Sequence, residues 1–277
     1  MTSREGASGA ASSIAAAFPD RVVVRGFDLC DELIGHTGFS DYILILLLGR
    51  RPEPRLVKMV DATLVAIAEH GLVPSVQAAR MTLAAAPDAL QGAVAAGLLG
   101  CGEVILGAAA TAGTFLAKLA GETEAGTELG TAVDRRLATM KRDRLAIPGF
   151  GHPLHKPEDP RAWRLLDYSR EIGVAGHHVE ILQAIHAQLA ASYGRKLPLN
   201  VSGAIAATLL DAGFPLAALK GVPLVARTAG LIGHLLEERC RPIGFRLAEA
   251  AAAAISYDGP DVASLKGPAE RPRKGSS

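Results

Sequence analysis

Alanine-rich stretches recur along this sequence and constrain its fold more than any other feature. Alanine accounts for 50 of the 277 residues, whereas aromatic residues make up only 4%. Alanine has the highest helix propensity, and the β-branched and aromatic residues that favour strands are few. The composition therefore predicts an all-α protein of closely packed helices, and it excludes a disordered or collagen-like chain.

Periodicity and turn signals predict the order of the elements. Apolar residues recur at helical spacing over residues 55–70, and Gly71 then supplies a stop signal. Asp159-Pro160 supplies an N-cap and a first-turn proline for a helix that runs to about residue 172. Val22–Val24 predicts a short strand or hairpin. The remaining predicted helices cover residues 84–99, 107–119, 178–193, 204–212 and 223–238.

Charge, cysteines and targeting signals exclude several classes of protein. The net charge of +1 argues against a general affinity for nucleic acid. The three cysteines, Cys30, Cys101 and Cys240, form no CxxC pair, which argues against a disulfide framework or a zinc site. The N-terminal region has no apolar run of the length that a secretory signal or a membrane span needs. The sequence therefore predicts a cytoplasmic protein with no nucleic-acid or membrane partner.

One long interruption of the helical pattern, residues 141–160, carries the residues best suited to chemistry. Gly149 and Gly151 flank Phe150 and precede His152, and glycines let a backbone approach a ligand and present N–H groups to it. A histidine there can donate to an oxygen that gains charge in a reaction. Arg161, in the next helix, could clamp a carboxylate. The alternative is a Gly/Pro turn with a solvated histidine and an ordinary capping Asp-Pro pair.

This loop resembles the glycine–histidine loop of the citrate synthase superfamily. The small citryl-CoA lyases and the lyase module of ATP-citrate lyase match more closely in length and order. The resemblance covers about residues 20–260, and its other matching segments are residues 25–28, 43–48, 69–71, 95–99, 199–201, 210–211 and 227–234. It implies an all-α, citrate synthase-like fold with a large helical domain, a smaller helical domain and an active-site cleft between them.

The domain boundaries follow from the resemblance and from the polar termini. We expect a large domain formed by residues 21–106 and 216–262, and a small domain formed by residues 107–215. Residues 1–20 and 263–277 are expected to be flexible. The resembling proteins work as homodimers or higher homo-oligomers, so we expect the same of this chain.

The resemblance also assigns roles to individual residues. His152 would be a catalytic residue that hydrogen-bonds the carbonyl or hydroxyl oxygen of the oxaloacetate or citryl group. His70 and Arg227 would hold substrate carboxylates, with Arg161 as a further contact. Coenzyme A would lie near a set formed by Gly149, Phe150, Gly151 and Lys156.

Each assignment has a simpler alternative. His70 could be a cation favoured at a helix C-terminus, and Arg227 could be a surface arginine near a helix start. His234 lies in the middle of a predicted helix and is interpreted as structural.

Two further candidate catalytic positions depart from the family pattern. Ser202 stands where the resemblance places an aspartate base, and a serine hydroxyl does not ionise near neutral pH. General acid–base catalysis is worth ~10²–10⁴ in rate, so the loss should be severe unless another group replaces it. Read locally, Ser202 is an N-cap for a helix beginning at Gly203.

The second departure is a missing histidine. Glu103 is the only ionisable residue in the segment 102–108, where citrate synthases carry a second catalytic histidine, and Ala78 occupies the alternative position. Glu103 could replace it as acid or base if buried. The alternative is a solvated or capping glutamate.

The sequence therefore predicts an enzyme that cleaves or forms a carbon–carbon bond between an acyl-CoA, such as acetyl-CoA, and an oxo-dicarboxylate. The coenzyme A thioester is a substrate, and no metal or prosthetic group is expected. Because the base is absent, the substrate or step could be one that needs no methyl deprotonation. The alternative function is a catalytically impaired paralogue that binds a CoA thioester or a carboxylate as a regulatory or partner subunit.

Overall fold

The computed structural model describes residues 10–151, 156–194 and 196–259. Within these ranges the chain forms twelve α-helices, preceded by a small sheet. The helices are α1 Phe39–Leu48, α2 Pro54–Ala68, α3 Pro74–Ala85, α4 Leu90–Leu99, α5 Gly102–Leu106, α6 Ala108–Glu124, α7 Leu129–Arg142, α8 Pro160–Glu171, α9 His177–Tyr193, α10 Val201–Asp211, α11 Gly221–Cys240 and α12 Gly244–Ala254.

The sheet near the N-terminus has three short antiparallel strands, β1 (Ala15–Ala17), β2 (Val22–Val24) and β3 (Phe27–Asp28). Ala16 lies opposite Val23 in the β1–β2 pair. The strand predicted from the valine run is confirmed, and β1 falls inside the segment 1–20 that the sequence predicts to be flexible.

The main hydrophobic core joins α2 to helices α6–α10. Met59, Leu119 and Ile185 are among its fully buried side chains, and each such side chain contributes roughly 1.5–3 kcal/mol relative to an exposed one. The predicted division into residues 107–215 and the remainder stays a prediction.

A second core shows what the alanine and glycine content does. It joins α3, α4 and α11 through Val76, Ala93 and Leu231, respectively. A Cβ on Gly97 would lie 2.7 Å from Leu231 Cδ1 and 3.0 Å from Ala79 Cβ. Since real Cβ atoms rarely approach so closely, these three helices reach their spacing only with the small residues that the sequence supplies.

Most predicted helices match α2, α6, α8, α9, α10 and α11, with bounds that differ by a few residues. The single helix predicted over residues 84–99 is wrong, because α3 ends at Ala85 and α4 begins at Leu90. Pro87 explains the break, since proline disfavours helical backbone at the residue before it. Ala86 accordingly adopts φ −138° and ψ 75°.

Among the described residues, the segment Leu216–Cys240 is long and apolar enough to cross a membrane by length and composition. One such helix is weak evidence, because a core helix can have the same composition. Most of the segment Leu216–Cys240 is helix α11, which packs against α2, α3 and α4 and buries Leu231 and Leu235 completely.

Candidate active site

The glycine loop lies directly on the backbone that leads into α10. Gly149 and Gly151 have φ values of 86° and 85°, which favour glycine. The Gly149 carbonyl accepts a hydrogen bond from the Asn200 N–H at 3.0 Å, and the Gly151 N–H donates to the Pro198 carbonyl at 2.7 Å. A Cβ on Gly203 would lie 2.8 Å from the Gly149 oxygen. Gly149 and Gly203 therefore allow a backbone-to-backbone contact that a larger residue at either of these two positions would block.

Asn200 fixes both the loop and the start of α10. Its Oδ1 accepts from the Gly203 N–H at 3.1 Å, and its Nδ2 donates to the Gly151 carbonyl at 2.9 Å. The prediction that Ser202 caps this helix is wrong, because Asn200 is the N-cap and α10 already begins at Val201. Ser202 instead lies in the first turn, half-buried, and its hydroxyl makes no hydrogen bond within the described part of the chain.

Asp159 links the N-termini of α8 and α10. This fully buried carboxylate accepts from Arg161 Nε at 3.0 Å, from Arg161 Nη2 at 2.8 Å and from the Val201 N–H at 3.1 Å. Burial alone would raise the pKa of Asp159, but the Arg161 guanidinium and the Val201 N–H hold that pKa below its usual range. Arg161 is thereby fixed beside the first turn of α10.

A crevice of about 600 Å³ separates α2 from α8. Ala62 and Val65 of α2 form part of one wall, and Arg161 and Leu165 of α8 form part of the other. The α2 surface and the Arg161 guanidinium, which Asp159 orients, therefore line the same crevice.

Arg227 is a buried cation that has no counter-charge among the described residues. It lies on α11, one turn before Gly230, where a Cβ would collide with the Ala68 carbonyl at the end of α2. Only 8% of Arg227 is exposed, and its Nε and Nη1 have no hydrogen-bond partner among the described residues. Burying an unpaired guanidinium is costly, so this position suits a bound anion. The interpretation of Arg227 as a surface arginine is wrong.

The turn after α2 carries His70. The helix ends at Ala68, and the Glu69 carboxylate accepts the N–H groups of His70 at 2.7 Å and of Gly71 at 2.6 Å. Its other oxygen lies 2.9 Å from His234 Nε2. Burial alone would raise the pKa of Glu69, but the bond from His234 and the two N–H bonds lower it. His70 thus follows α2 on a turn that α11 supports.

Comparison with known proteins identifies this arrangement. Residues 12–245 match the family described as citrate synthase, C-terminal domain. This chain belongs to the citrate synthase family. The all-α, citrate synthase-like fold and the resemblance stated from the sequence are confirmed.

Three relatives illustrate the similarity. The citryl-CoA lyase structure from Hydrogenobacter thermophilus is 31% identical, with 91% of this chain and 95% of that chain covered at a TM-score of 0.79. ATP citrate lyase from Methanothrix soehngenii, solved with citrate and coenzyme A, shares the fold at a TM-score of 0.73 and 23% identity, over 95% of this chain and 44% of that chain.

Citrate synthase 2 of Bacillus subtilis (strain 168) is 28% identical over 202 residues, which are 73% of this chain and 52% of that protein. The chain thus spans about half the length of the curated relatives it matches.

The structure places Glu103 away from the buried setting that a replacement acid or base needs. Glu103 is on α5, its side chain is 70% exposed, and it forms an ion pair with Lys220. This geometry is that of a solvated glutamate, the alternative given above.

Other predicted residues of the citrate synthase-like site are placed only in part. Phe150 is buried and stacks on His186 at 6.2 Å between ring centroids. Lys156 is exposed. His152 lies outside the described residues, and its role stays a prediction.

The described ranges contain no group of three or more His, Cys, Asp or Glu side chains that could hold a metal ion.

Sequence reasoning gave no role to Asn200, Glu69 or Arg80, although the matching segments 69–71 and 199–201 contain the first two. Arg80 is 2% exposed and bonds Glu238 and Glu237. The available signal for Arg80 was a charged residue within an alanine-rich stretch, because an arginine that is buried there needs an acidic partner.

Proposed function

We propose that this chain is a citryl-CoA lyase-type enzyme that binds a coenzyme A thioester together with a small di- or tricarboxylate. The reaction is cleavage of citryl-CoA to acetyl-CoA and oxaloacetate, or the reverse condensation. The observation that carries the proposal is Arg227, which is buried on a citrate synthase-like fold with Nε and Nη1 unpartnered in the described part of the chain. A substrate carboxylate supplies the missing counter-charge.

Substrate binding is assigned to three side chains and one loop. Arg227 holds one carboxylate, while His70 and Arg161 contact another, each on a separate element that is fixed by hydrogen bonds or close packing. Arg161 can do so because Asp159 orients its guanidinium without removing it from the crevice wall. Coenzyme A lies near the backbone from Gly149 to Gly151 and near Lys156.

Cleavage needs three things: removal of the citryl hydroxyl proton, stabilisation of the enolate that leaves, and a proton for its methylene carbon. His152 is assigned to hydrogen-bond the citryl hydroxyl oxygen, which loses its proton and becomes the carbonyl oxygen of oxaloacetate. Ser202 lies in the first turn of α10, where the N–H groups of Val201 and Gly203 are already bonded by Asp159 and Asn200. Without a carboxylate base at Ser202, we expect turnover to be ~10²–10⁴ lower than with one.

The second candidate is a catalytically impaired paralogue that binds a CoA thioester or a carboxylate as a regulatory or partner subunit. Ser202 and the exposed, Lys220-paired Glu103 favour it. Under this function the carboxylate site and the coenzyme A loop are used, but no bond is broken.

Two measurements separate these functions. Calorimetric titration with citrate and with coenzyme A reports binding, and deuterium exchange into the acetyl-CoA methyl group in heavy water reports proton transfer. The enzyme function predicts binding together with methyl exchange that His152→Ala reduces. Binding with exchange at the background rate supports the paralogue. A protein that binds neither citrate nor coenzyme A contradicts both functions.

We also propose that the protein is a homodimer or a higher homo-oligomer. Apolar side chains are exposed on three helices: Leu99 of α4, Ile232 and Leu236 of α11, and Phe245 of α12. Leu99 is 83% exposed, and exposed apolar surface of this kind marks interaction sites. Light scattering at micromolar concentration tests this: a dimer or larger species is expected, and a monomer contradicts it.

The net charge and the packing of α11 bear on the cellular setting. We propose a cytoplasmic protein with small-molecule ligands and no nucleic-acid or membrane partner, and the mechanism requires no metal or prosthetic group. The net charge of +1 and the packing of α11 against three helices support this. Recovery in the membrane pellet after cell fractionation would contradict it.

A further inference from the structure

The turn that carries His70 is held by one carboxylate. Glu69 Oε1 accepts from the backbone N–H groups of both His70 and Gly71, at 2.7 and 2.6 Å. Gly71 has a φ of 75°, which allows the tight turn. The orientation of Glu69 therefore sets the path of the backbone at His70.

His234 orients Glu69. His234 of α11 approaches Glu69 Oε2 with Nε2 at 2.9 Å, and its Nδ1 lies 3.3 Å from Arg80 Nη1. A guanidinium has only donors, so the Arg80 contact is a hydrogen bond only when Nδ1 carries the lone pair. The proton then lies on Nε2 and is donated to Glu69. The geometry thus assigns one tautomer to His234.

The far end of this connection is buried and hydrogen-bonded. Arg80 Nε lies 2.6 Å from Glu238 Oε2, and both side chains are almost completely buried. Glu238 Oε1 in turn accepts the N–H groups of Ile243 and Gly244, at 2.9 and 2.7 Å. The start of α12 therefore anchors Glu238, which anchors Arg80.

We propose that Glu69 and His234 are positioning residues that place His70 for the substrate carboxylate. The proposal rests on the carboxylate-binding function of His70 proposed above. His234 follows Arg227 by seven residues on α11, so both lie on one face of that helix. The connection therefore holds His70 in register with the buried Arg227.

The chemistry of the contact predicts which substitutions it tolerates. His234→Gln keeps an N–H that can reach Glu69, whereas His234→Leu keeps no donor. Glu69→Gln turns an acceptor into an amide group, which cannot both accept from the two N–H groups of the turn and accept from His234. Glu69 is 47% exposed, so Glu69→Gln changes no core packing.

The experiment measures amide hydrogen exchange at His70 and Gly71 in the ligand-free protein, and citrate affinity by calorimetry. Loss of a hydrogen bond to a charged group corresponds to a roughly 10- to 100-fold effect. We expect exchange to accelerate and citrate affinity to fall by about tenfold or more in Glu69→Gln and His234→Leu. In His234→Gln both should stay within about threefold of wild type, well below that range.

Glu180→Gln is the matched control. It removes the same kind of pair, an exposed glutamate beside His177 at 3.3 Å on α9. Neither the exchange at His70 nor the citrate affinity should change in this variant.

Unchanged exchange in both Glu69→Gln and His234→Leu overturns the proposal. Accelerated exchange with unchanged citrate affinity also overturns it, because the turn would then be supported without placing His70 for a ligand. A His234→Gln variant as impaired as His234→Leu would show that packing of the ring, not its N–H, is what matters. Wild-type protein that binds no citrate refutes the proposed function instead, and the exchange rates then decide alone whether His234 fixes the turn.

Discussion

Replacing Arg227 with methionine should stabilise the ligand-free protein while abolishing carboxylate binding. The side chain is 8% exposed, and its Nε and Nη1 lack partners within the described residues. Replacing buried charges with apolar residues of similar volume is often neutral or stabilises by about 1–4 kcal/mol. For a chain of 277 residues, each kcal/mol corresponds to a Tm shift of roughly 2 °C. We therefore expect the Tm of Arg227→Met to rise by about 2–8 °C without ligand.

The assay is thermal unfolding in a buffer free of phosphate and carboxylates, with and without citrate. A ligand present at 100 times its Kd stabilises the folded state by about 2.7 kcal/mol, so the wild-type Tm should rise by roughly 5 °C. Arg227→Met should show no such rise. Arg135→Met is the matched control, because Arg135 is exposed and paired with Glu122 at 2.6 Å. It should change the free energy of unfolding by less than about 0.5 kcal/mol and retain the citrate response.

Two results would refute this reasoning. A clear drop in the Tm of ligand-free Arg227→Met would mean that the guanidinium stabilises the fold. A citrate-induced rise that persists in Arg227→Met would mean that the carboxylate binds elsewhere.

Three further predictions concern the first turn of α10 and its neighbours. Ser202→Asp should raise methyl exchange of acetyl-CoA by ~10²-fold or more, and an unchanged rate would show that the missing base does not limit the reaction. Gly203→Ala should destabilise by about 1–3 kcal/mol in urea unfolding, because its Cβ would lie 2.8 Å from the Gly149 oxygen; Gly121→Ala, with open space around the added carbon, should be neutral or stabilising, and equal effects would contradict the close contact. The pKa of Asp159 is lowered in the folded protein, so its contribution to stability is complete above the ordinary value of 3.8 and is lost as the pH falls through the lower folded value. Asp159→Asn should therefore unfold with a shallower pH dependence below 3.8, and an identical acid-unfolding curve would rule that contribution out.

Local sequence signals predicted six of the twelve described helices and the strand β2. Helical spacing identified α2, and the Asp159-Pro160 pair identified the start of α8, because periodicity and capping act over a few residues. The break at Pro87 was overlooked although proline signals it locally. The predicted N-cap at Ser202 was wrong because Asn200, two residues earlier, caps α10. Asn200 also bonds the glycine loop, which lies about fifty positions away in the sequence.

The candidate site was predictable where a residue type carried the chemistry and not where tertiary contacts did. The glycine loop was identified from its glycines and its histidine, and Arg227 was identified by resemblance. His234 was interpreted as structural from its mid-helix position alone. Its partners Glu69 and Arg80 lie on other elements, more than 150 residues away in the sequence. No local pattern reports a pairing across that distance.

Single-turnover cleavage of citryl-CoA tests the central claim most directly. Purified protein in excess is mixed with citryl-CoA, and release of oxaloacetate is followed through its reduction by a coupled dehydrogenase. The account predicts cleavage above the uncatalysed rate, lost in Arg227→Met and increased in Ser202→Asp. Cleavage at the uncatalysed rate in both the wild type and Ser202→Asp would contradict it.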